Sequence, residues 1–333
     1  MKRILPIFLL IAFLLNGCGG AKKPALNVVP VEIATLVPLG TPVAKYGVEV
    51  ARPLIRDLTN IGPREAGSPA EAQAAQYIES VFKALGYSPE TQPFTADSGN
   101  KPIASANVVA VKKGTSAQEI IVGAQYDSSG AGPGADDNAS GVAAMLEVAK
   151  LVAGQTTPYT IRFIAFGAGD SGLLGSYAYV NQMTQSQFEN VIAMIDLDSL
   201  VAGDIAYVFS DETQPSIRNW ALSWATGNGL DLQTVKDANL TDPANSKGSS
   251  DFAAFRDAGI PYAYFSSADW TLGDKKGQTQ VDTSLGENGV IRHTKYDSLT
   301  YLDATFPGRV DQHLDLFISI IYNFLTQYEA PIK

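Results

Sequence analysis

From residue 106 onward, short apolar runs of strand length alternate with stretches of helical periodicity, and that alternation limits the chain to one kind of architecture. Runs 106–111, 119–124, 160–166, 191–197 and 262–266 read as strands, the second apolar enough to lie inside a sheet. Stretches 142–152, 173–181, 217–226, 252–258 and 307–327 read as helices. Two further helices precede them. The first carries Val48, Ala51, Leu54, Ile55 and Leu58 at helical spacing, and the second starts at the cap Ser68-Pro69 and buries Ala74, Ile78, Phe82 and Leu85. Strands joined by helical crossovers predict a three-layer α/β/α sandwich with a mixed, mostly parallel central sheet. In such a sheet, working residues gather past the C-terminal ends of strands.

The first residues follow a different pattern. Lys2 and Arg3 precede an apolar run, 4–15, that is too short for a membrane span and has the charged start of an export signal. Leu15-Asn16-Gly17-Cys18 resembles a bacterial lipoprotein signal, with the chain's single cysteine where the lipid is attached. The expected division is a signal peptide over 1–17, a lipid-anchored tether over 18–42 rich in proline, and one domain over 43–333. The expected location is the exported side of a bacterial membrane, held there through Cys18. Removing Lys2 and Arg3 leaves 22 basic against 34 acidic residues, a net −12, which argues against a nucleic-acid partner. With no cysteine after the anchor, thiolate ligands and disulfides are excluded, so a metal must be held by His, Asp, Glu or amide oxygen.

Acidic residues collect at three expected strand ends: Asp127 beside Gln125, then Asp170, then Asp198. The glycine-rich turn Gly134-Ala135-Asp136-Asp137-Asn138 adds a pair leading into an apolar helix. Each alone is explained as a helix cap or turn residue. Together they bring like charges to one low-dielectric edge, where a cation is the natural neutraliser.

In chain order, GAQYDSSGAGPGADDNASGVAAMLEVA, FIAFGAGDSGLLGS, MIDLDS, SSDFAAFRDAGIPYAYF and HTKYDSL resemble the successive motifs of the co-catalytic zinc exopeptidases. That is the family of bacterial leucyl aminopeptidase, glutaminyl cyclase and glutamate carboxypeptidase. The upstream GPREAGSPAEAQAAQYIESVFKALGY matches its opening helices. The resemblance implies a metal-dependent, aminopeptidase-like exopeptidase acting on peptide or aminoacyl substrates. It implies two zinc ions about 4 Å apart that activate a water and polarise the scissile carbonyl. Its pattern makes Asp136 the bridging carboxylate, puts Gln125 and Asp198 on one metal and Asp170 and His293 on the other, and leaves Asp127 to orient a ligand from behind. Asp297 holds a motif position with a structural role.

Two positions depart from the family. Gln125 stands where an imidazole is expected; its amide oxygen is a neutral ligand suited to harder cations, so calcium, magnesium or manganese is an alternative to zinc. Gly169 stands where the general-base glutamate is expected and accepts no proton, a loss that typically costs about 10²- to 10⁴-fold in rate. The alternative function is therefore an impaired or inactive homologue that binds metal or peptide as a lipoprotein. Gly169-Asp170-Ser171-Gly172 is also similar to a serine nucleophile turn, but Leu173 fills the place of the elbow's second glycine. His313 is expected on a helix surface, outside the site. The long stretch between Ser266 and His293, which lacks periodicity, is expected to overhang the metal site.

Overall fold

The computed structural model describes residues 48–97, 99, 102–235, 250–273 and 277–329. The signal, Cys18 and the tether lie outside the described residues.

Two helices open the fold, α1 (Val48–Asn60) and α2 (Pro69–Ala84). The start of α2 follows from its sequence. Ser68 Oγ accepts from Glu71 N at 3.1 Å, Pro69 takes the first turn where no N–H is needed, and Ala74, Ala75, Ile78 and Phe82 form the buried face. The strands β1 (Glu90–Asp97), β2 (Pro102–Lys112) and β3 (Ser116–Gln125) follow, then α3 (Gly141–Val152), β4 (Tyr159–Phe166), α4 (Leu174–Gln182), α5 (Gln185–Asn190) and β5 (Val191–Leu197). The chain continues through β6 (Ile205–Phe209), α6 (Ser216–Gly227), α7 (Phe252–Asp257), β7 (Tyr262–Ala268), α8 (Leu299–Thr305) and α9 (Arg309–Gln327).

Among the described residues, seven strands join one sheet in the order β1-β2-β4-β3-β5-β7-β6. The central pairs β4/β3, β3/β5 and β5/β7 are parallel, while β1/β2, β2/β4 and β7/β6 are antiparallel. The sheet is thus mixed and parallel at its centre, as the alternation predicts. On one face α1, α2, α3, α6 and α9 pack over Val108, Val122, Phe163 and Phe265; on the other α4 and α7 pack over Ile121, Ile164, Phe166 and Met194. Each such fully buried apolar side chain contributes about 1.5–3 kcal/mol against exposure.

The sequence reading misses β1, β6, α5 and α8. Strand β1 is mostly exposed and contains Pro93, which gives no ladder donor and so belongs at an edge, where it is found. Strand β6 is only five residues long and pairs with β7 at the opposite edge. Strand β3 is the centre of the topology: the chain leaves it to form β4 on one side and later β5 on the other. That reversal opens a crevice past the carboxyl ends of β3, β4 and β5, the usual location of a site in this class of sheet.

Candidate metal centre

The acidic turn at this crevice is shaped by its backbone. Gly134 has φ +65°, and a Cβ there would lie 2.5 Å from Ser128 Cβ and 2.6 Å from the Asp137 carbonyl oxygen, so glycine is required. Residues Ala135–Ser140 form an irregular turn, non-helical at Asp137 and Asn138, with a cis Asp137–Asn138 peptide. Asn138 anchors it, donating to the Leu197 carbonyl at 2.8 Å and accepting from Gly141 N at 3.0 Å and Ser199 N at 3.3 Å. Asp297 accepts from Asp136 N at 2.5 Å and Asp137 N at 3.1 Å, the structural role its motif position implies.

The two aspartates of the turn face opposite ways. Asp136 is fully buried: Oδ1 accepts from Val201 N at 2.7 Å and Ala202 N at 2.9 Å, and Oδ2 accepts from Gln280 Nε2 at 2.6 Å. With both oxygens engaged away from the crevice, Asp136 is not placed to bridge metals, contrary to the expectation from the motif. Asp137 instead faces His293 and Asp170. Its Oδ2 lies 2.9 Å from His293 Nε2, which also lies 3.3 Å from Asp170 Oδ1. Asp137, Asp170 and His293 each offer a ligand atom within 4.8 Å of the others. Asp170 Oδ2 is buried with no hydrogen-bond partner among the described residues.

The other expected residues surround this trio. Gln125 ends β3 and is buried; its Nε2 donates to Asp137 Oδ1 at 3.2 Å and Asp170 Oδ1 at 3.1 Å, so the amide nitrogen, rather than the oxygen, faces the carboxylates. Asp198 follows β5, accepts from Ser199 Oγ at 2.9 Å and lies beside Asp137 without joining the close trio. Asp127 does support the centre from behind, but by gripping backbone: it accepts from Gly169 N at 2.7 Å and Asp170 N at 3.1 Å. Gly169 sits where the base is expected, and a Cβ there would lie 2.6 Å from Gln125 Cβ and 2.8 Å from its Oε1. Gln125 therefore occupies the space a side chain at 169 would need. The serine reading fails on geometry, because His293 Nε2 is turned toward the two aspartates.

Charge balance explains the protonation pattern. Asp198 is pushed up to about 6 by burial and by the neighbouring Asp137 carboxylate. Asp251, at the start of α7, is pushed up to about 7 by burial, with the charges of Asp198 and Asp170 adding. Asp127 is raised well above the carboxylate range by burial and then by Asp170. His293 is raised to about 11, chiefly by its hydrogen bonds to Asp137 and then Asp170. His293 Nε2 thus sits between the two carboxylates.

Three contributors carry no signal strong enough to single them out in the sequence. Arg64, in the Gly-Pro-Arg break before α2, is fully buried and donates to the carbonyls of Tyr126 at 2.8 Å, Pro133 at 2.6 Å and Gly134 at 3.1 Å. It clamps the acidic turn and places a positive charge beneath Asp297, Asp127 and Asp137. Asp251 stands in a quoted motif, and Gln280 lies in the long stretch expected to be a lid. That stretch is pinned at residue 280, which is fully buried, so there it forms part of the wall. His313 also turns inward, against the surface expectation: Nδ1–H donates to the Leu200 carbonyl at 3.0 Å, and burial lowers its pKa to about 4.

A model of peptidase family M28 matches residues 107–317, and the chain belongs to that family. It is 29% identical over 279 residues to the alkaline phosphatase isozyme conversion protein of Escherichia coli, covering 75% of this chain and 81% of that one. It is 30% identical to the probable lipoprotein aminopeptidase LpqL of Mycobacterium tuberculosis over 69% of this chain, and spans about half (49%) of that protein. Among solved structures, a zinc aminopeptidase from Bacillus subtilis superposes with a TM-score of 0.69 at 21% identity, over 86% of this chain and 97% of that one.

Proposed function

We propose that the chain is a zinc-dependent exopeptidase that hydrolyses peptide bonds at the amino end of its substrate, slowly for its class. The observation that carries this is the convergence of Asp137, Asp170 and His293 at the switch-point crevice, with a buried Asp170 oxygen left unpartnered among the described residues. One imidazole and two carboxylates fit zinc, and the oxygen-rich surroundings also admit manganese or magnesium. A divalent cation held there supplies Lewis-acid polarisation of the scissile carbonyl and a lowered pKa for water.

The chain's own residues set how well that chemistry runs. Asp137, Asp170 and His293 would hold the ion, and Asp198 adds negative charge at the side of Asp137. Gln125 cross-links the two carboxylates through its amide nitrogen, which supports one tightly held ion per chain in place of two. Gly169 offers no proton acceptor, so the rate is expected to fall short of a glutamate-bearing site by about 10²- to 10⁴-fold. The same glycine favours a second reading, a lipoprotein that binds metal or peptide without hydrolysis, which family membership makes the weaker of the two. Attachment through Cys18 is supported by the Leu-x-Gly-Cys sequence and by the lipoprotein name of the mycobacterial relative; Cys18→Ser should release the protein from the membrane fraction.

Metal analysis of the purified chain, combined with an aminoacyl-anilide assay with and without chelator, tests the proposal. The expected result is about one metal per chain and slow turnover that chelation abolishes and zinc restores. Absence of metal, or turnover indifferent to chelation, would overturn it.

A further inference from the structure

Every hydrogen-bonding group of Gln280 is engaged. It is fully buried. Its backbone N–H donates to the Gly289 carbonyl at 2.8 Å and its carbonyl accepts from Asp204 N at 2.8 Å. Its side-chain Oε1 accepts from Ile291 N at 3.0 Å and Arg292 N at 2.8 Å, the two residues directly before His293. Its Nε2 donates to Asp136 Oδ2 at 2.6 Å, directly before Asp137. The other oxygen of Asp136 holds Val201 N and Ala202 N, just beyond Asp198. One amide and one carboxylate thus tie together three turns, each carrying a residue of the centre. His293 itself has φ +58°, an uncommon backbone state for a residue other than glycine.

We infer that Gln280 is a positioning residue: through Asp136 it fixes the distance between the turn bearing Asp137 and the turn bearing His293, and so sets the affinity of the centre for its metal. This rests on the metal-binding reading above. The amide is needed in one orientation only. Two N–H groups must meet its oxygen, so its nitrogen must meet Asp136, and an ionised carboxylate there supplies the acceptor. Gln280→Glu places a second carboxylate against the first and breaks the tie. Exchanging the two groups, Asp136→Asn with Gln280→Glu, restores it. The amide now on the acidic turn presents its nitrogen to the carboxylate now on the wall and its oxygen to Val201 and Ala202, with volume and total charge unchanged.

The test is zinc titration by calorimetry on the purified wild type, Gln280→Glu and the exchanged double variant, with thermal melts of each metal-free protein as the folding control. The cobalt-substituted absorption spectrum serves as an independent readout of ligand geometry. Gln280→Glu is expected to weaken zinc about 10- to 100-fold, as loss of an outer partner does. The double variant is expected to recover at least about half of the lost binding free energy, leaving affinity within about 3- to 10-fold of wild type, and to regain the wild-type cobalt spectrum. Should Gln280→Glu not fold, the double variant decides alone: folded with native affinity supports the inference, and folded with weak affinity, or unfolded, overturns it. Wild-type affinity in Gln280→Glu would also overturn it. A double variant no better than the single would show that Asp136 is itself a ligand, sinking the positioning role while leaving the peptidase proposal intact. A wild type that takes up no zinc would sink both.

Discussion

Asp136 and Asp137 are adjacent and chemically identical, yet the fold gives them opposite tasks. Asp136 is sealed among backbone N–H groups and Gln280, and Asp137 reaches His293. Asp137→Asn should therefore cost zinc affinity more than the about 10- to 100-fold expected of a supporting partner, and Asp136→Asn should stay within that range; calorimetric titration of the two variants checks the order. His293 supports a second expectation at this scale. Its pKa near 11 in the metal-free chain means that it is protonated at neutral pH, so zinc must displace that proton. Calorimetry in buffers of different ionisation enthalpy should show release of about one proton per ion, absent in His293→Ala. The motif made six of the centre's residues and neighbours legible in the sequence: Gln125, Asp127, Asp170, Asp198, His293 and Asp297. It did not separate Asp136 from Asp137, because the choice depends on which carboxylate finds the N–H groups of residues 201 and 202, a contact across 65 positions of chain.

At the scale of elements, the central strands and most helices were legible because their apolar periodicity is strong, and β3 was placed inside the sheet by its composition alone. The edge strands β1 and β6 were not, since edges need little apolar pattern to pair. The packing of the β3 end against the turn after β4 was equally hidden. Gln125 fills the volume above Gly169, so Gly169→Ala should destabilise the chain by about 1–3 kcal/mol through overpacking. The cost should shrink by at least about 0.5 kcal/mol in a Gln125→Gly background, a coupling readable from a double-mutant cycle of urea melts. Additive effects would mean that the two positions do not share that space.

At the scale of the molecule, the crevice is a store of buried negative charge countered by Arg64 below and His293 above. The carboxyls of Asp136, Asp198 and Asp251 are all raised, to about 6, 6 and 7. A group whose folded pKa is raised stabilises fully below its unfolded value, and that stability is lost as pH rises through the folded value. The metal-free protein should therefore lose stability between about pH 4 and 7 through these three groups. His293 does not offset this window, because its own contribution declines only as pH rises from about 6.5 toward 11. Melting curves of chelated protein should fall from pH 5 to 8, and zinc should flatten the fall; a flat chelated profile would contradict the charge store. The close fit of Gln125 over Gly169 also has a chemical consequence. An acidic side chain introduced at 169 would compete with Gln125 for one volume, so the chemistry available at either position is conditional on the residue at the other.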